Sequence, residues 1–94
     1  MAKRATIAPA VTAHKAGIRG LLVAPNGMTF VTLGADREVK VWSLKDPAAP
    51  REMRSWKLPV GVNGAAYTPD GKFLVTANAD GTAYVLELPD LAMQ

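Results

Sequence analysis

The sequence predicts an all-β protein made of two copies of one unit, each a small antiparallel sheet of four strands. Three observations predict it. The chain aligns on itself without a gap when shifted by 44 residues, the interval from Gly17 to Gly61. Short apolar stretches alternate with turn-forming triplets, Pro25-Asn26-Gly27 and Pro69-Asp70-Gly71 among them, spaced too closely for helices. Between those turns β-branched residues are frequent, which disfavours helix and favours strand.

The self-alignment is carried by residues with special backbone duties. Gly20 falls on Gly64, Pro25 on Pro69, Gly27 on Gly71, and Asp36 on Asp80. Val31, Thr32, Val41 and Leu44 fall on Val75, Thr76, Val85 and Leu88. In the first unit, "IRGLLVA" is a short apolar strand that ends in the "PNG" turn. "MTFVTLG" returns as its hairpin partner, and "ADRE" turns again. "EVKVWSL" alternates, with Val39 and Val41 on one face and Lys40 and Trp42 on the other. "KDPAAP" reads as a loop, because Pro47 and Pro50 have no N–H to give a ladder. "REMRSWKL" is more polar, as an outer edge strand should be, with Trp56 packing under the loop. The second unit repeats the scheme in "VNGAAYT", "PDG", "KFLVTAN", "ADG" and "TAYVLEL". A period of about 40–45 residues with four strands per unit is that of a propeller blade.

The residues of the first unit carry a family resemblance. Ala13-His14 stands where the WD-repeat β-propeller family has Gly-His, and Trp42-Ser43 stands where it has Trp-Asp. Between them lie "IRGLLVAPNG" and "FVTLGAD", with Asp36 six residues before Trp42. The chain resembles that family over residues 13 to 88. The resemblance implies a buried polar network of His14, Thr32, Asp36 and Trp42 that ties the blade together. Its chemistry is sound: a carboxylate accepts an imidazole N–H, a hydroxyl bridges, and an indole N–H closes the chain. In the second unit Leu58 replaces the histidine and Leu86 the tryptophan. That blade is expected to be held by packing alone.

Composition narrows the function. With 94 residues the chain has room for one small domain. It has no cysteine and one histidine, so neither a thiolate metal site nor a multi-histidine cage is available. Asp70 and Asp80 read as turn residues and His14 as structural, so no catalytic, metal-binding or cofactor-binding residue is expected. No apolar run spans a bilayer, and the basic start lacks the apolar block of a signal peptide; the expected location is the cytoplasm. The net charge is +3, spread along the chain. Lys15, Arg19 and Arg37 fall in or beside the loops of unit one, where an anionic peptide would dock. No aromatic residues are interleaved with them, which disfavours nucleic acid as the partner.

The count of repeats points to assembly. Each blade has two faces, and two blades cover one face each. Residues such as Leu22, Phe30, Val41, Ala66, Leu74 and Val85 are expected on the uncovered faces, forming an association surface. Residues 13–56 are expected to form blade 1 and 57–94 blade 2, the latter without an outer strand. Residues 1–12 are expected to be a spare outer strand that would complete a blade of a neighbouring chain. Such contacts run head to tail and close into a ring. Three copies would give six blades and four would give eight; four is preferred, and both fall in the usual range of about four to eight blades. The expected function is a non-catalytic scaffold for protein interactions, built from copies of itself. The alternatives are a module that binds an anionic peptide or nucleic acid through its basic loop face, or a piece of a larger propeller.

Overall fold

A computed structural model describes residues 12–88, which contain seven strands and no helix. They are β1 (Ile18–Val23), β2 (Thr29–Gly34), β3 (Glu38–Ser43), β4 (Arg51–Lys57), β5 (Val62–Tyr67), β6 (Phe73–Asn78) and β7 (Ala83–Glu87). They form two antiparallel sheets, β1-β2-β3-β4 and β5-β6-β7. The strand expected over residues 1–12 lies, but for Thr12, outside the described residues, as do residues 89–94 of the second blade.

The turns explain the pairing. Gly27 and Gly71 occupy the same place in the two units and have the same φ of 73°, open to glycine at no steric cost. Each turn is locked by the residue before its glycine. The Met28 amide donates to Asn26 Oδ1 at 2.9 Å, and the Lys72 amide to Asp70 Oδ1 at 3.0 Å. Registry then follows: Leu22 lies opposite Val31, and Val31 opposite Val41. In the second sheet Tyr67 lies opposite Leu74, and Leu74 opposite Leu86.

The core sits between the sheets. Val31, Val39 and Leu74 are wholly buried, with Leu33, Val41, Leu58 and Val62 nearly so. Leu22, Ala65, Tyr67, Tyr84 and Leu86 pack against them. Trp56 on β4 packs there too, with the Arg54 guanidinium 4.9 Å above its ring.

This arrangement corrects the expected outer faces. Leu22, Val41 and Leu74 are core residues, whereas the exposed aliphatic side chains include Ile18, Leu21, Val23, Val75 and Val85. Phe30 is half-buried, while Ala66 and Val85 do face outward. The expectation mixed the two faces of each sheet. Side chains alternate along a strand, so a face is assigned only once the register is known. Leu22, Val31 and Val41 share one face through their pairing; Val23, Phe30 and Trp42 share the other.

Three β-bulges also escaped the sequence reading. Arg19 and Asn63 are each the extra residue at the start of their sheets, at equivalent places in the repeat. Met53 is the third, in β4 opposite the step from Val41 to Trp42. A bulge leaves the alternation of residue types almost unchanged while bending the strand, so it has no clear mark in a single sequence.

Candidate functional site

The first sheet holds a buried chain of hydrogen bonds. His14 precedes β1 and its side chain is fully enclosed. Its Nδ1 lies 3.1 Å from Asp36 Oδ1, and its Nε2 lies 2.7 Å from Thr32 Oγ1. The Trp42 indole Nε1–H donates to the same hydroxyl at 3.1 Å. A carboxylate has no proton to give, so the ring proton of His14 resides on Nδ1. With one ring proton, Nε2 accepts from Thr32 and the hydroxyl accepts from Trp42. Donation thus runs one way, from indole to hydroxyl to imidazole to carboxylate. The structure brings all four residues together in this way.

Asp36 has a second role. Its Oδ1 also accepts the Glu38 amide at 3.1 Å, which fixes the turn between β2 and β3. Burial pushes its pKa upward, but the Glu38 amide and the His14 ring outweigh that and hold it below the usual 3.8. The sign of the consequence is definite. A carboxyl with a lowered folded-state pKa contributes stability in full above its unfolded value, and loses it as pH falls through the folded one. Unfolding midpoints should therefore drop below about pH 4, and Asp36→Asn should flatten that acid limb while lowering stability at neutral pH. Thermal melts of both proteins at several pH values check this. Asp70 and Asp80 are also lowered, chiefly by the hydroxyls of Thr68 and Thr82, and remain common to both proteins in the comparison.

The His14, Asp36 and Glu38 ligand atoms lie within 4.8 Å of one another, a spacing that would suit a cation. Yet both His14 nitrogens are already engaged. Metal ligation through them would dismantle the network that orients them.

The second sheet holds a different network, and the expectation of packing alone is corrected there. The Thr76 hydroxyl donates to Asn78 Oδ1 at 2.9 Å. The Asn78 amide donates to Thr82 Oγ1 at 2.9 Å, and the Thr82 hydroxyl to Asp80 Oδ1 at 2.6 Å. The Tyr84 amide donates to Thr76 Oγ1 at 3.2 Å. The exchange has a spatial cause. Asn78 is the repeat counterpart of Gly34, and Leu58 of His14. A Cβ on Gly34 would run into the His14 ring and the Asp36 carboxylate. Where histidine is present, that position must be glycine. Where leucine replaces it, an asparagine side chain fills the space and carries the polar link. Sequence could have revealed this, since both departures fall at aligned positions of one pair of units.

Between the sheets, the buried Tyr67 hydroxyl has no hydrogen-bond partner among the described residues. Burial raises its pKa, opposed by the neighbouring Thr29 side chain.

The three expected partner-binding residues are all exposed, at one end of the first sheet. Lys15 lies in the loop before β1, Arg19 is the bulge residue, and Arg37 closes the turn after β2. The loops are joined by the Ala35 amide, which donates to the Gly17 carbonyl at 2.8 Å. Arg37 has a φ of 68°, whereas its counterpart in the second unit is Gly81, with φ of 87°.

Two like-built antiparallel sheets, packed face to face by adjacent repeats, define a pair of propeller blades. Repeats of the WD domain, G-beta repeat family match residues 6–43 and 53–86. The chain belongs to the WD40 family, whose propellers are generally non-catalytic scaffolds that bind other proteins. It is 28% identical over 80 residues to Autophagy-related protein 18 of Meyerozyma guilliermondii, covering 83% of this chain and 14% of that protein. It superimposes on a chain of the Mitotic Checkpoint Complex crystal structure with a TM-score of 0.69 and 19% identity, over 81% of this chain and 24% of that one. The chain thus spans a small part of the length of both.

Proposed function

We propose that the chain is a non-catalytic, cytoplasmic WD40 scaffold that joins copies of itself into a closed ring of blades. One observation carries the reading: the outer faces of both sheets bear exposed aliphatic side chains, Leu21 and Val23 on one and Val75 and Val85 on the other. Isolated blades do not leave such faces in water, because each repeat gains its stability from its neighbours. The free edge of β7 among the described residues adds to it. The first matched repeat begins at residue 6, before β1. That segment would complete the second sheet of a neighbouring copy. Four chains and eight blades are the preferred closure, with three chains and six blades next.

Light scattering after gel filtration tests this. The expected mass is three or four times 9.9 kDa, and a chain lacking residues 1–11 should lose the closed form. A monodisperse monomer of the full chain would overturn the reading.

A second reading concerns what docks on the rim. Arg37 holds a left-handed backbone that glycine adopts freely in the other unit, at a cost of about 1 kcal/mol. An arginine kept there at that cost, beside Lys15 and Arg19, supports docking of an acidic peptide on this rim. Arg37→Gly should raise stability by about 0.5–1 kcal/mol and weaken binding of a poly-glutamate peptide in a salt-dependent way. Unchanged binding measured by calorimetry would sink this second reading.

A further inference from the structure

The two outward faces of the blade pair differ in shape, and the repeat indicates how they fit. Resting on the assembly reading above, we propose that the partner of each outer face is the opposite outer face of a second copy. The outer face of β1–β4 seats on the outer face of β5–β7, in the register of the contact already made inside each chain.

Within the chain, Leu22, Val31, Leu33, Val39 and Val41 of the first sheet face Ala65, Tyr67, Leu74 and Leu86 of the second. Moving 44 residues along the repeat gives the counterparts. The first set becomes Ala66, Val75, Ala77, Ala83 and Val85, on the outer face of β5–β7. The second set maps back to Leu21, Val23, Phe30 and Trp42, on the outer face of β1–β4. On one outer face three leucines and valines have become alanines. On the other, alanine has become leucine, two leucines have become phenylalanine and tryptophan, and tyrosine has become valine. The alanines of one face thus stand opposite the larger leucine, phenylalanine and tryptophan of the other, small against large, as two surfaces that pack together require.

Charge does not oppose the contact. None of these residues is charged, and the lysine on the outer face of β3, Lys40, is held by Glu52 at 3.1 Å. Like-with-like pairing fits worse. Two outer faces of β5–β7 would set alanine against alanine. Two outer faces of β1–β4 would crowd the Phe30–Trp42 stack, whose rings lie 6.1 Å apart and nearly parallel, against its own twin. A head-to-tail contact is the one that leaves each chain with an unused half, so it propagates until it closes.

The experiment uses two variants of the full chain, Val85→Asp and Leu21→Asp. Both positions are more than half exposed, so the fold is retained, and circular dichroism checks it. Each variant keeps one intact outer face. At a concentration where the unsubstituted chain assembles, each should run alone as a 9.9 kDa monomer. An equimolar mixture should give a capped pair of one chain of each kind, visible by light scattering and native mass spectrometry. The aspartates carry the same sign, so they cannot themselves draw the pair together. If either variant folds poorly, Val75→Asp and Val23→Asp repeat the test on the same faces. A variant that dimerises alone means a like-with-like contact and overturns the proposal. So does a mixture that stays monomeric while the unsubstituted chain assembles, which leaves the ring reading standing on another surface. A monomeric unsubstituted chain overturns both.

Discussion

Thr32→Val should destabilise the protein by about 2–5 kcal/mol, close to the largest effect expected of any single substitution at a polar position. Valine has the shape of threonine, and Thr32 is buried to 1% exposure, so no cavity opens and nothing is overfilled. The loss is purely of hydrogen bonding. The Trp42 indole N–H loses its acceptor and His14 Nε2 loses its donor, both inside the sheet. Each unsatisfied buried group costs about 1–3 kcal/mol. For a domain of this size, each kcal/mol lowers the thermal midpoint by about 4–8 °C. Chemical denaturation with a shared slope is the cleaner measurement, since an unchanged slope shows that the same surface unfolds. Thr76→Val should cost less, because there a chain of side-chain bonds from Asn78 through Thr82 to Asp80 persists without the hydroxyl.

The second large effect is a pair that cannot be split. Gly34→Asn alone should lower stability by about 3 kcal/mol or more, since its Cβ alone meets the His14 ring and the Asp36 carboxylate. His14→Leu alone should cost about 2–3 kcal/mol, because it strands Thr32 and Asp36. Together they reproduce the arrangement that Leu58 and Asn78 hold in the other sheet, and Glu38→Thr completes it with the counterpart of Thr82. The double variant should be more stable than the sum of the single losses predicts, with a coupling of about 1–3 kcal/mol. A double-mutant cycle by urea unfolding measures it. Strict additivity would mean that the two networks are not alternative solutions to one packing problem.

These expectations show where the sequence was legible. The strands were readable because turn glycines, prolines and aspartates recur at one interval, and such residues mark backbone geometry directly. The network of the first unit was readable because histidine and tryptophan are scarce and their spacing is distinctive. The faces were not. Leu21 and Leu22 are identical residues, one exposed and one in the core, and only the pairing of Leu22 with Val31 separates them. The bulges at Arg19, Asn63 and Met53 were hidden because an added residue alters geometry without altering residue type. The second network was missed for another reason. Losing the histidine and the tryptophan suggested a blade held by packing alone, when the compensating change lay 20 residues further on, at Asn78. Asn78 is nearly buried, and burial of an amide is intelligible only with its partners in view.

The reciprocity of His14 with Gly34, and of Leu58 with Asn78, bears on how such genes can change. Repeats invite unequal crossing-over, which grows or shortens an array by exchanging one unit for another at homologous positions. An exchange falling between the two members of a pair would yield hybrid blades. One would carry both histidine and asparagine and be overfilled; the other would carry leucine and glycine and have a hole. An exchange inside the segment from residue 14 to residue 34 and its copy should therefore cost stability, and one outside it should keep each pair intact. Each pair is thus a linked block whose two members must change together for the space between them to stay filled.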